Sequence, residues 1–270
     1  MTPPFVAALP MYDFASTAQA NDALWSAMAR RLRDAGIDAP LELTRGAPPG
    51  EIWRSPRLLF GQACGYPWVR SLRGVASLLA APRYGLPGCA GAEHCAFFIA
   101  PRRLAAERLG AFRGLRAACN ARDSNTGMNL LRHAIAPLAE GGRFFSHVLE
   151  TGSHRESLRA VGEGRAELAS VDCVSYGLLQ VGEPGLAAGV AIVGRSAASP
   201  GLPFIASSLL SPAVRDAVRA ALAGAMAEPT LAPARAALGL AGIEAAREAD
   251  YERVAAFEDE AVALGYPVLA

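Results

Sequence analysis

Apolar residues follow two rhythms along this chain. Short continuous runs at 5–9, 41–44, 58–61, 75–80, 95–100, 115–120, 145–150, 168–171, 187–194 and 204–207 read as strands. Apolar positions recur at helical spacing over 17–36, 101–109, 126–139, 153–163, 212–227, 231–240 and 249–264. The first helix has Ser16 or Thr17 as its N-cap and Gly36 as its C-terminal stop. Strands alternating with helices predict an α/β fold with parallel sheets. The middle stretch, 97–195, carries a complete β-α-β-α-β series of its own. The C-terminal part is rich in helix and poor in strand, so it must pack on a sheet built elsewhere. The expected organisation is therefore two lobes: a discontinuous one from 1–96 plus 196–270, and an inserted one from 97–195, with the two chain crossings as a hinge. A single large doubly wound domain is the alternative. No internal repeat is visible.

Composition narrows the function. The chain has 270 residues, 52% hydrophobic and 19% charged, which excludes a disordered or low-complexity protein. Alanine accounts for 57 residues and all 26 basic positions are arginine, so no lysine is present to form a Schiff base or line a phosphate loop. Net charge is +1 and the arginines are scattered, which argues against nucleic-acid binding. No run of 18 apolar residues predicts membrane insertion. The opening MTPPFVAALP lacks a basic n-region and a long apolar h-region, so no signal peptide is expected in the chain as written. The five cysteines, Cys64, Cys89, Cys95, Cys119 and Cys173, form no CxxC pair. Neither a disulfide scaffold nor a metal framework is expected from them. His94, His133 and His147 have no ligand-like spacing, and no cofactor motif stands out.

Several polar segments each follow an expected strand, where open α/β sheets bind ligands. After the first strand comes Pro10-Met11-Tyr12-Asp13; Tyr12 either offers a hydroxyl and an aromatic wall or packs on the first helix. In Gly61-Gln62-Ala63-Cys64-Gly65-Tyr66-Pro67, Cys64 is either a nucleophile or a small thiol packed under a glycine turn. Asp123-Ser124-Asn125-Thr126-Gly127-Met128-Asn129 opens a helix. Its hydroxyls and amide stand beside free helix N–H groups, which suits a phosphate or carboxylate; plain N-capping by Ser124 or Asn125 is the other reading. In Thr151-Gly152-Ser153-His154-Arg155-Glu156, Ser153 and Glu156 fit a capping box. His154 then lies in the first turn, where the helix dipole favours the neutral ring, as a hydrogen-bonding partner or as a surface residue. Asp172 directly follows an apolar strand, either to accept hydrogen bonds from a ligand or to cap the next helix.

At these residues the sequence resembles the phosphonate/phosphite-type substrate-binding proteins of ABC transporters. The segments Leu9-Pro10-Met11-Tyr12-Asp13, Gln62-Ala63-Cys64-Gly65-Tyr66-Pro67, Ser124-Asn125-Thr126-Gly127-Met128-Asn129 and Thr151-Gly152-Ser153-His154 run in the family's order. So do Ser157-Leu158-Arg159-Ala160-Val161, the stretch from Gly164 to Asp172, and Pro200-Gly201-Leu202-Pro203-Phe204. The resemblance implies a two-lobed type 2 periplasmic-binding fold with a hinge and an oxyanion in the cleft. It implies that Ser124, Asn125, Thr126 and His154 hold the oxyanion, that Tyr12 and Tyr66 wall the cleft, and that Asp172 faces the distal end of the ligand. The family's binders of aminoalkylphosphonates use more than one acidic residue for the amine, and only Asp172 can be placed here. Asn125 stands where the family often has a small hydroxyl residue.

The expected function is non-enzymatic binding of a small oxyanion (phosphonate, phosphite or phosphate), with hinge closure and a permease partner. A cytoplasmic sensor on the same fold is the alternative, and an enzyme using Cys64 or His154 a third reading. Location depends on the start: periplasmic if a signal peptide was trimmed, cytoplasmic if Met1 is native.

Overall fold

The computed structural model of the protein describes residues 4–270. The Met1 start on which the localisation reading turns lies outside them. Among the described residues twelve strands follow in chain order: β1 (Val6–Ala8), β2 (Leu58–Gln62), β3 (Ala76–Tyr84), β4 (Glu93–His94), β5 (Ala96–Pro101), β6 (Arg116–Cys119), β7 (His147–Glu150), β8 (Leu168–Asp172), β9 (Val190–Arg195), β10 (Ser199–Pro200), β11 (Phe204–Ser207) and β12 (Leu240–Glu244). The chain divides into two compact units, one of residues up to Gly85 with Gly201–Asp250, the other of Leu86–Pro200 with Tyr251–Ala270. The expected boundaries at 96/97 and 195/196 therefore move outward, and the last twenty residues belong to the second unit instead of the first.

The first unit is built on a five-stranded sheet of order β1-β2-β11-β3-β12. Only β1 and β2 are parallel; β11 runs antiparallel to β2 and β3, and β12 antiparallel to β3. The expectation of a parallel sheet fails here because the C-terminal segment returns two strands to it. Of these, β12 lies at the end of a stretch expected to be helical, where the helix Ala232–Ala237 stops early. The run 41–44 forms no strand; Thr44 N–H donates a single backbone hydrogen bond to Ala7 O, 2.7 Å. The helix Ala18–Asp34 buries Leu24, Trp25, Met28 and Leu32, spaced to make one apolar stripe. That stripe meets the sheet through Trp25, stacked 6.0 Å from Phe60, which in turn stacks 5.1 Å from Phe204. The helix ends as expected at Gly36 (φ +79°), where Ile37 N–H reaches back to Leu32 O.

The second unit has a five-stranded sheet of order β7-β6-β8-β5-β9 and a small β10-β4 ribbon. β6 is parallel to both β7 and β8, while β5 is antiparallel to β8 and β9, so this sheet too is mixed. The helix His154–Gly162 packs on it with Leu158, Ala160 and Val161 buried. The expected helix over 101–109 is replaced by two short 3-10 turns, Arg102–Leu104 and Leu109–Phe112. Arg102, Arg103, Glu107 and Arg108 interrupt the apolar stripe there. The expected helix over 126–139 is broken into a π-helical turn, Asn125–Asn129, an α-helix, Leu130–Ile135, and a 3-10 turn. Among the described residues, no helix is long and apolar enough to cross a membrane.

Polar groups that need partners bind the C-terminal segment to this unit. Arg132 is 4% exposed inside a short helix. Its guanidinium donates to Pro267 O (2.9 Å), Asn129 Oδ1 (2.7 Å) and Glu258 Oε1 (3.3 Å). Asn129 Nδ2 donates to Val254 O at 2.9 Å. Phe144 and Phe145 N–H both donate to Ala270 O, at 2.8 and 3.0 Å. Arg132→Ala removes the donor of Asn129 Oδ1, Pro267 O and Glu258 Oε1, and should cost about 1–3 kcal/mol in denaturant unfolding. Amide exchange should accelerate first over 251–270. An unchanged unfolding midpoint would refute this account of the C-terminal segment.

Candidate functional site

Strand direction assembles the site in the second unit. β6, β7 and β8 are parallel, so their carboxyl ends share one sheet edge. The turn Asn125–Asn129 follows β6 and the helix His154–Gly162 follows β7. Thr126 Oγ1 and His154 Nε2 meet there at 3.2 Å. A third element is locked to the same place, because the Ser170 hydroxyl of β8 donates to Thr126 O.

The antiparallel β5 begins at this edge, with Ala96 opposite Asp172. His94, two residues earlier, is thereby delivered against the carboxylate, Nδ1 to Oδ2 2.8 Å. Asp172 also caps the helix Cys173–Gly182, its Oδ1 accepting from Ser175 N–H at 2.8 Å. The capping reading of this residue thus describes one oxygen and His94 takes the other. His94 is the functional candidate that the sequence did not disclose. Its only sequence signal is its place just before a strand, and the strand's antiparallel register is a long-range fact.

Burial sets the protonation states. Desolvation pushes the His154 imidazole down to about 4; nearby Asp172 opposes this and His94 adds to it. The ring is therefore neutral at pH 7. For Asp172, burial alone would raise the carboxyl, but His94, His154 and the Ser175 N–H together hold it below the usual carboxylate range.

The other residues of this segment are held from within. Ser124 caps the turn, its Oγ accepting from Gly127 N–H at 3.0 Å. Asn125 donates to Ser199 Oγ (2.8 Å) and accepts from Asn129 Nδ2 (3.1 Å), so its amide ties β10 to the turn. Gly127 packs closely on Asn120, so that a Cβ there would lie 1.7 Å from Asn120 Oδ1 and would force that side chain to move. That oxygen is itself buried without a partner. Ser153 caps its helix through Glu156 N–H (3.1 Å), but the Glu156 carboxylate turns to Arg155 and Arg159, so the capping box is half formed.

Tyr12, Tyr66 and Cys64 belong to the first unit. Tyr12 is 4% exposed and packs edge-on against Tyr84, ring centroids 5.4 Å apart. Gln62 joins this cluster, donating to the Tyr84 hydroxyl and to Leu202 O, both at 3.1 Å. Tyr66 is buried, with the Arg70 guanidinium 5.8 Å from its ring. Cys64 precedes the short helix Gly65–Pro67. The structure thus brings Ser124, Asn125, Thr126, His154 and Asp172 into one unit and places both tyrosines in the other. Among the described residues, no group of three or more His, Cys, Asp or Glu side chains could hold a metal ion.

Comparison with known proteins fits this architecture. The family model of ABC-transporter phosphonate periplasmic substrate-binding proteins matches residues 58–251, well over half of the chain. A binding-protein component of an ABC phosphonate transporter from Pseudomonas aeruginosa superposes with a TM-score of 0.77 at 13% identity, over 97% of this chain and 88% of that one. A Prochlorococcus marinus protein solved with methylphosphonate gives 0.74 at 9% identity, over 96% and 98%. A Xanthomonas citri protein solved with chloride gives 0.73 at 18%, over 97% and 98%. No curated protein matches the sequence. At these identities the structural likenesses establish the two-lobed type 2 periplasmic-binding fold, and the family follows from the model match. The chain belongs to the family of periplasmic phosphonate-binding proteins of ABC transporters.

Proposed function

We propose that this protein captures a small oxyanion of the phosphonate, phosphite or phosphate class and hands it unchanged to an ABC permease. The observation that carries this reading is the meeting of Thr126 Oγ1 and His154 Nε2 at the edge where two parallel strands release their helices. Of the Thr126 hydroxyl and the neutral imidazole, one donates to the other; the proton left over, with first-turn N–H groups, faces a region where the helix dipole favours negative charge. No lysine is needed, and none is present. The family match and the methylphosphonate held by the Prochlorococcus protein support the same class. Ser124 and Asn125 contribute by fixing the turn. The Asp172 carboxylate, engaged by Ser175 N–H and His94, organises the site and does not receive a ligand amine.

Calorimetric titration with methylphosphonate, phosphite, phosphate, sulfate and acetate tests the class. Thr126→Ala and His154→Ala should each weaken the best ligand roughly 10- to 150-fold, the effect of losing a donor to a charged group. Wild-type affinity in both variants, or preference for acetate, sinks the oxyanion reading. 2-Aminoethylphosphonate should bind no tighter than ethylphosphonate; a tenfold gain from the amine would show Asp172 to be a ligand group.

The depressed His154 imidazole also makes stability depend on pH. Between pH 6.5 and about 4 the unfolded chain binds this proton and the native one does not, so stability is full above that window and falls as pH drops through it. The loss from this group reaches up to about 3 kcal/mol. Urea unfolding at about pH 7 and pH 4.5 should show a smaller fall for His154→Gln than for wild type. Equal slopes would mean that the ring is not buried as neutral imidazole.

A further inference from the structure

Three of the five cysteines gather beside Asp172, and the binding reading uses none of them. Cys89 Sγ and Cys173 Sγ lie 3.6 Å apart although the residues are 84 positions apart in the chain. Cys95 N–H donates to Cys173 Sγ at 3.5 Å, and Cys173 N–H donates to Cys95 O at 3.0 Å. The segment carrying Cys89 is held against this group by Gly88. There φ is +93°, and a Cβ would lie 2.8 Å from Cys173 Cβ and 2.9 Å from Phe97 Cζ. Only glycine lets the backbone approach so closely, so the contact between the two sulfurs belongs to the fold.

We propose that Cys89 and Cys173 are a redox-active dithiol, which a small disulfide oxidant of the glutathione-disulfide class converts to a protein disulfide. Exposure sets the order of events. Cys173 is fully buried, whereas Cys89 is half-buried and meets the oxidant first. The Cys89 thiolate attacks one sulfur of the oxidant; a mixed disulfide forms and one small thiolate leaves. Cys173 then loses its proton and attacks Cys89 Sγ. The protein disulfide forms, the mixed bond breaks and the second small thiolate leaves. Two thiols have given up two hydrogens and the oxidant has been reduced to two thiols. The hydrogen bond to Cys89, with burial, raises the Cys173 thiol, which suits it to the resolving step and not to the entry step. Joining the sulfurs needs an approach of about 1.5 Å, to the bond length of roughly 2.0 Å. The bond would staple the segment just before β4 to the start of the helix capped by Asp172.

The test treats the reduced full chain with oxidised glutathione, quenches it, and alkylates it under denaturing conditions. The number of alkylated cysteines should fall from five to three, with a peptide linking Cys89 to Cys173. The melting temperature should rise on the order of 5–10 °C, because the link closes a long loop, and should return with a dithiol reductant. Cys89→Ser should abolish both changes and Cys95→Ala should keep both. Five alkylated cysteines, a glutathione adduct that persists on Cys89, or a link from Cys89 to Cys95 would overturn the proposal. A linked protein that melts below the reduced one would overturn it as well.

Discussion

Asp172 and His94 present side chains each 2% exposed, 2.8 Å apart. Taking a carboxylate out of water costs several kcal/mol, so the carboxylate survives burial only because both of its oxygens are engaged. Ser175 N–H takes one and the imidazole takes the other. Much of the second unit depends on this arrangement. It starts the helix Cys173–Gly182, it fixes the β5–β8 register at Ala96 opposite Asp172, and it places a negative group near His154. Loss of His94 would leave the buried carboxylate to the Ser175 N–H and its remaining neighbours, a defect of about 1–3 kcal/mol for a charged acceptor that loses one partner.

The same accounting explains how the chain is partitioned. A guanidinium buried in a six-residue helix is tolerated only where acceptors converge on it. The acceptors for Arg132 come from Asn129, Glu258 and Pro267, and so the C-terminal segment is drawn to the second unit. The first unit is held differently. Its core is a stack of Trp25, Phe60 and Phe204 between helix and sheet, with Gln62 the buried polar link to Tyr84 and Leu202. The second unit buries an apolar core too, with Phe98, Ile99 and Leu131 fully enclosed, and adds to it the polar contacts that hold the C-terminal segment.

In the proposed site the candidate donors are neutral: in a chain without lysine, a hydroxyl, an imidazole and backbone N–H groups would hold an anion through dipoles already oriented by the fold. Beside Gly127 the Asn120 side-chain oxygen is buried without a hydrogen-bond partner.

Local signals were legible in the sequence. The helix Ala18–Asp34 with its Gly36 stop, the strand Phe204–Ser207 and the helix Pro212–Ala227 follow from apolar spacing and capping residues, which act within a few positions. The Ser124 and Ser153 caps were readable for the same reason. So was the family, because its segments are short and ordered along the chain. Strand direction was not legible: β5, β11 and β12 turned expected parallel sheets into mixed ones, since direction depends on where a chain returns and not on its composition. His94 stayed hidden because its partner lies 78 residues away, and the three sulfurs because a cysteine's sequence neighbours say nothing about its neighbours in space. The sequence by itself determined the long amphipathic helices and the serine caps, for these are fixed by local backbone chemistry. Only the tertiary structure decided which polar groups meet at one sheet edge, because antiparallel register and the burial that shifts His154 and Asp172 arise from contacts between distant segments.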